Sequence, residues 1–167
     1  RTCMVDVARY YINFLSEESC GKCVACREGI KRMLEILTDI CNGKGSEEDL
    51  DLLENLCHTV EEASLCGLGK TAPNPVLTTL KYFKDEYYAH IRDKRCPAGV
   101  CPELTEYEID EKLCKSCGLC AKNCPASAIR GEKGKPYHIN IESCVKCGNC
   151  IDSCRFNAVG VKKGARL

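Results

Sequence analysis

The 167-residue sequence predicts an α+β chain of more than one domain: a small four-helix bundle, then a duplicated unit of short strands and cysteine loops. Three observations carry this prediction. Apolar residues recur at helical spacing through residues 1–92. The run "CKSCGLCAKNCPASAI" (114–129) returns thirty residues later as "CVKCGNCIDSCRFNAV" (144–159). Between them, "DKRCPAGVCPELTE" (93–106) breaks the periodicity with two prolines and a glycine, as a linker does.

The first helix is carried by Met4, Val5, Ala8, Tyr11, Ile12 and Leu15. The second is carried by Ile30, Met33, Leu34, Leu37 and Ile40, and Gly43 and Gly45 stop it. Ser46 ahead of Asp49 approximates a capping box for a third stripe of Leu50, Leu53, Cys57 and Val60. "PNPVLTTLKYF" opens the fourth helix, with Asn74 as cap and Pro75 as the first helical residue. Val76, Leu80, Phe83 and Tyr87 are its inward face. Short connections make these helices antiparallel neighbours in one bundle over 1–92. Past the linker at 93–106, the domain at 107–167 aligns with itself. "YEIDEKLC" matches "YHINIESC", pairing Tyr107 with Tyr137 and Ile109 with Ile139. Each half is expected to run strand, cysteine loop, short helix, strand, and to bury its face against its twin.

Seventeen cysteines are about a tenth of the chain, the density of a disulfide scaffold or a metal protein. The count is odd, and the cysteines sit in tight C-x-x-C clusters that rarely close structural bridges. The first stretch, "RTCMVDVARYYINFL", is amphipathic and unlike a secretion signal. A cytoplasmic protein with bound metal follows. No apolar run reaches the roughly 18 residues of a membrane span. The formal charge is zero, from 24 basic and 24 acidic residues. A four-thiolate site around an oxidised [4Fe–4S] core adds about −2, so Lys22, Arg27, Lys115, Lys122 and Lys146 read as local compensation. No basic stripe suggests nucleic acid. His58 and His138 read as surface residues. The chain opens at Arg1 inside a helical pattern, the expectation for a C-terminal region of a longer protein.

Each half of the duplication has the spacing C-x2-C-x2-C-x3-C. The first adds Pro125, completing the run of bacterial two-cluster ferredoxins. Soft thiolates in this pattern select iron–sulfur clusters. The close trio holds three corners and the fourth cysteine crosses to the other cluster. Cys114, Cys117, Cys120 and Cys154 are therefore expected to hold one [4Fe–4S] cluster, and Cys124, Cys144, Cys147 and Cys150 the other. Gly118 and Gly148 let the backbone approach the sulfurs. Arg155 stands where the second run would have proline, which changes loop rigidity without removing a ligand. A third constellation, "SCGKCVACREG", repeats the close trio at Cys20, Cys23 and Cys26 where a helix begins. Cys66, in the glycine loop "SLCGLGKTAPNP" between the third and fourth helices, lies at the same end of an up-and-down bundle and is the candidate fourth ligand. On spacing alone, a three-cysteine zinc site or plain buried thiols remain alternatives.

"ESCGKCVACREGI" together with "SLCGLGKTAPNPV" resembles the cluster-binding bundle of the NADH-oxidising flavoprotein subunit of respiratory complex I. With "CPAGVC" and the two-cluster unit appended, the chain is more similar to the diaphorase subunit of NAD-linked, electron-bifurcating [FeFe] hydrogenases. The resemblance implies a third [4Fe–4S] cluster at Cys20, Cys23, Cys26 and Cys66 that takes electrons from FMN. It implies that FMN and NAD(H) bind in an N-terminal domain with a glycine-rich loop, which this sequence does not contain. It also implies as partners a thioredoxin-like [2Fe–2S] subunit, a catalytic iron–sulfur (hydrogenase) subunit and soluble ferredoxin.

Three such sites leave Cys3, Cys41, Cys57, Cys96 and Cys101. "HIRDKRCPAGVC" groups His90, Cys96 and Cys101 as zinc-like donors, and helix direction brings Cys41 near His90 as the expected fourth ligand. The alternative is that all are buried free thiols. Four protein ligands per cluster leave no open iron, so the segment is expected to relay electrons within a multisubunit oxidoreductase. The same module in an NAD-linked formate dehydrogenase or another complex I-like enzyme is the alternative. A redox-sensing cluster protein would show DNA-binding features, and none is present.

Overall fold

The structure, a computed structural model, describes residues 2–162. It divides into two compact units, the first running to Leu104 and the second beginning at Thr105.

Four long helices build the first unit: α1 (Met4–Glu18), α2 (Val24–Cys41), α3 (Glu48–Ala63) and, after the single turn α4 (Gly67–Thr71), α5 (Asn74–Ile91). α2 packs on α1 and α3, while α5 packs on α1, α2 and α3. Their apolar stripes share one core: Val5, Ala8 and Ile12; Ile30, Met33, Ile36, Leu37 and Ile40; Leu50, Leu53, Cys57 and Val60; Val76, Leu80 and Tyr87. The Asp49 carboxylate accepts both the Ser46 N–H (2.8 Å) and the Ser46 hydroxyl (3.1 Å), which ties down the start of α3. α2 and α3 approach closely at Gly29, where a Cβ would stand 2.3 Å from Val60 Cγ2.

Several local expectations are corrected. Tyr11 and Phe83, expected inside, are exposed. Tyr11 sits at the edge of the stripe set by Val5, Ala8 and Ile12. Phe83 leaves its stripe because its backbone is not helical (φ −132°, ψ 32°), which kinks α5. The kink is bridged from inside. Thr79 Oγ1 donates to Pro75 O (2.8 Å) or Val76 O (3.0 Å) and lies 2.8 Å from the Tyr87 hydroxyl. Asn74 is the first residue of α5 rather than its cap, and no side chain caps that end. "GLGKT" coils into α4, although two glycines made it read as loop.

Residues 93–104 fold into the first unit. Cys96 N–H donates to Leu104 O (3.2 Å), Arg95 N–H to Ala89 O (3.0 Å), and a 3-10 turn spans Pro102–Leu104. Cys96, Cys101 and Leu104 belong to the helical core.

In the second unit the order is β1 (Tyr107–Ile109), α6 (Leu119–Lys122), β2 (Ile129–Arg130), β3 (His138–Ile139), α7 (Asn149–Ser153) and β4 (Val159–Val161). The pairing is interlaced. β1 runs antiparallel to β4 with Ile109 opposite Val159, and β2 runs antiparallel to β3 with Ile129 opposite Ile139. The first strand of each half therefore pairs with the last strand of the other. Backbone geometry repeats as well. Ser116 and Lys146 (φ 53° and 55°) occupy the left-handed region at matching positions, and Gly118 and Gly148 (φ 72° and 81°) follow two residues later. No helix among the described residues is long and apolar enough to cross a membrane.

Gly29→Ala is expected to destabilise the chain. Overpacking against Val60 costs about 1–3 kcal/mol, against roughly 1 kcal/mol gained in helix propensity. Thermal denaturation of Gly29→Ala, Val60→Ala and the double variant should show the double variant less destabilised than the sum of the singles. Additive losses would contradict close contact at this point.

Candidate metal centres

The duplicated loops of the second unit fold around two cavities. One is lined by Cys114, Cys117, Cys120 and Cys154. The other is lined by Cys124, Cys144, Cys147 and Cys150. Each cavity thus combines the close trio of one half with the last cysteine of the other. The interlaced strands produce this exchange: Val159, in the strand after Cys154, and Ile109, in the strand before Cys114, are paired and both line the first cavity. Tyr137 reaches over the loop of the opposite half, its hydroxyl 2.9 Å from where a Cβ on Gly118 would stand. Tyr107 does the same above Gly148, at 3.4 Å.

The electrostatics of these cavities are prepared for anionic sulfur. Ala128 N–H donates to Cys124 Sγ and Ala158 N–H to Cys154 Sγ, both at 3.3 Å. The turn after each is alike, with Ser127 at φ 49° and Asn157 at φ 51°. Arg155 in place of proline therefore leaves the loop geometry unchanged. Lys115 lines the first cavity. Burial raises the thiol of Cys120 and pushes that of Cys150 up to about 11. Alone they would stay protonated, and a bound cationic core is what would make them thiolates.

At one end of the first unit, Cys23 precedes α2 and Cys26 lies in its first turn, while Cys66 precedes α4. The N–H groups of Gly69 and Leu68 hold the exposed Cys66 thiol below its ordinary value. The Ser19 hydroxyl lies 3.4 Å from Cys26 Sγ. α4 meets the start of α2 here: a Cβ on Gly69 would be 3.4 Å from Cys26 Cβ. Cys20 is exposed on the connection between α1 and α2.

Three of the remaining five cysteines join a histidine in a different kind of centre. Among the described residues, Cys3, His90, Cys96 and Cys101 alone bring three or more donor atoms within 4.8 Å of one another, and all four are buried. Cys3 Sγ is 3.3 Å from His90 Nε2, His90 Nε2 is 3.4 Å from Cys101 Sγ, and the Cys3 and Cys101 sulfurs are 3.9 Å apart. A tetrahedral zinc with three sulfurs and one nitrogen has edges of about 3.5–3.8 Å, so the donors fit that ion. His90 Nδ1 donates to Glu86 O (2.7 Å), which leaves Nε2 facing the sulfurs. Burial works to lower the His90 pKa, but Cys3 and Cys96 outweigh it and raise it to about 10. Hydrogen bonds from Cys101, then Cys3, hold the Cys96 thiol far below its usual value. The thiols and the imidazole thus pull each other toward their charged forms, and a bound cation would take over that role.

Cys41, expected as the fourth donor, is buried within hydrogen-bond reach of Cys101 but falls outside this set. Cys3 takes the place because α1 starts where α5 ends: Met4 N–H donates to Glu86 Oε2 (2.9 Å). Chain direction was the available signal, since the helix pairing that points to Cys41 points equally to the residue before α1. The larger cysteine sets do not crowd their sulfurs to single-ion spacing. That suits a core bigger than one ion.

Comparison with known proteins agrees with this chemistry. Residues 6–90 match the family described as the NADH-ubiquinone oxidoreductase-F iron-sulfur binding region, and residues 106–155 match the 4Fe-4S dicluster domain. The chain is 49% identical over 135 residues to the NADP-reducing hydrogenase subunit HndC of Solidesulfovibrio fructosivorans, covering 81% of this chain and 28% of that protein. It is 42% identical over 96 residues to an NADH-quinone oxidoreductase component of Streptomyces coelicolor, covering 58% and 21%. Among solved structures it resembles an NAD+-reducing [NiFe]-hydrogenase in the H2-reduced state, with a TM-score of 0.53 and 29% identity over 55% of this chain and 16% of that one. The chain thus spans less than a third of the length of each of these relatives.

Replacing Cys124 by alanine should damage the centre of Cys144, Cys147 and Cys150 and spare that of Cys114, Cys117 and Cys120. Low-temperature EPR of the reduced chain separates the two outcomes. Loss at Cys114, Cys117 and Cys120 instead would contradict the exchange.

Proposed function

This chain belongs to the NADH-ubiquinone oxidoreductase-F iron-sulfur binding family, carrying a dicluster unit behind it, and we propose on that premise that it is the electron relay of a cytoplasmic, multisubunit NAD(P)-linked hydrogenase. The observation that carries the reading is the convergence of each close cysteine trio with one distant cysteine around a cavity in the second unit. The likeness to a hydrogenase subunit over 81% of the chain supports the choice of hydrogenase.

In this reading the first unit is a four-helix bundle that holds one [4Fe–4S] cluster through Cys20, Cys23, Cys26 and Cys66. Cys114, Cys117, Cys120 and Cys154 hold a second, and Cys124, Cys144, Cys147 and Cys150 a third. When bound, these clusters supply one-electron storage. The chain's own work is to ligate fully, so that no iron is open to a substrate, and to stabilise anionic sulfur with N–H and hydroxyl donors. Cys3, His90, Cys96 and Cys101 hold zinc, which closes residues 93–104 onto the helices and has no redox role. FMN and NAD(H) bind in a region outside these 167 residues. Electrons are exchanged with a thioredoxin-like [2Fe–2S] subunit, a catalytic iron–sulfur subunit and soluble ferredoxin, in a bifurcating arrangement.

Metal analysis of the loaded chain should find close to twelve irons and one zinc. Cys3→Ser and Cys96→Ser should each release the zinc and keep the iron, whereas Cys41→Ser should keep both. Eight irons would remove the first-unit cluster, and an unmodified chain without zinc would return those residues to structural thiols. In the assembled protein, Cys26→Ala should abolish hydrogen-dependent NAD(P)+ reduction, and full activity in that variant would exclude the relay.

A further inference from the structure

We infer that the Ser64 hydroxyl donates a hydrogen bond to the iron–sulfur centre of Cys20, Cys23, Cys26 and Cys66 and raises its reduction potential; the inference rests on the reading that these cysteines hold a cluster. Ser64 closes α3 two residues before Cys66, and it is 2% exposed. Its backbone N–H is satisfied, donating to Val60 O at 3.2 Å. Its side chain is not: among the described residues, Ser64 Oγ is the buried side-chain nitrogen or oxygen with no hydrogen-bond partner. A buried hydroxyl left unpaired forfeits its solvation without return, which is why such groups almost always have a partner.

The position of the hydroxyl indicates that partner. A Cβ placed on Gly69 would lie 2.4 Å from Ser64 Oγ and 3.4 Å from Cys26 Cβ. The serine side chain and the buried cysteine of α2 thus converge on the same bare stretch of α4, the helix that Cys66 opens. Any side chain on Gly69 would displace the hydroxyl from this place. A serine or threonine near a helix end usually turns its hydroxyl back to a carbonyl of the preceding turn, as Thr59 and Thr71 do in α3 and α4. Ser64 makes no such bond and has left the helix with an extended backbone (φ −83°, ψ 141°). Cys26 already has one hydroxyl neighbour in Ser19 at 3.4 Å, on the connection that precedes α2.

An anionic sulfur at this centre would satisfy the buried donor. A reduced cluster carries one more negative charge than an oxidised one. A hydroxyl aimed at its sulfur or at a ligating thiolate therefore favours the reduced form. Ser64 keeps its proton throughout and needs no other group to act.

The test is a potentiometric titration followed by EPR on the loaded full chain, unmodified and Ser64→Ala, after counting iron in both. Both should hold about twelve irons. One of three potentials should fall by a tenfold change in the reduction equilibrium, about 59 mV for one electron, and the other two should stay. Pulsed ENDOR in light and heavy water should show one fewer strong exchangeable-proton coupling on that centre in the variant. Three unchanged potentials, or a uniform shift of all three, overturn the inference while leaving the cluster reading intact. A variant with only eight irons also overturns it, because the hydroxyl would then be needed for assembly rather than tuning. Eight irons in the unmodified chain would overturn the cluster reading, and the inference with it.

Discussion

Cysteines with two residues between them can wrap one side of a metal centre, and the remaining donor must come from elsewhere in the chain. Much of this structure answers that constraint. In the second unit the answer is exchange: each half gives its last cysteine to the cavity of the other, and interlaced strands hold the exchange in register. In the first unit the distant candidate is Cys66, set at the start of a single helical turn that rests against the first turn of α2. The fourth centre follows the same logic with a different geometry. Two cysteines and a histidine near the end of α5 are completed by Cys3, because α1 begins beside that end.

Gathering sulfur in this way has an electrostatic cost, and the chain offsets it locally. Burial raises the thiols of Cys120 and Cys150, so their thiolate forms would depend on a bound metal core. Loading is thus coupled to proton release. Backbone N–H groups then meet the sulfurs of Cys124 and Cys154, and those of α4 meet Cys66. The second unit has a core of few residues, and two of them, Cys120 and Cys150, are themselves cavity cysteines. A domain this small is of the kind that relies on metal for part of its folding energy. The helical unit has a fuller apolar core of its own.

The sequence made the repeat, the two cysteine runs and the four long helices legible, because each rests on a period or a spacing that local sequence records. Tyr107 and Tyr137, aligned as counterparts, do occupy equivalent places, each over the other half's loop. What was not legible came from tertiary placement. Phe83 reads as a core residue by spacing, yet a local break in the helix turns it out. "GLGKT" reads as loop by composition, yet packing against α3 and α2 lets it coil. Cys3 reads as a leftover thiol, since nothing local to it signals a ligand. Its significance depends on which helix ends lie together. Ser64 is the extreme case, an ordinary serine in sequence whose lack of a partner only the packed structure reveals.

Under the proposed function, these cysteine sets carry electrons between a nicotinamide-linked flavin and partner subunits. Rapid freeze-quench EPR on the assembled protein after mixing with NADH tests it most directly. The account predicts reduced-cluster signals from this chain within the time of one turnover, with the first-unit signal sensitive to Cys26→Ala. Turnover that proceeds while those centres stay oxidised would contradict it.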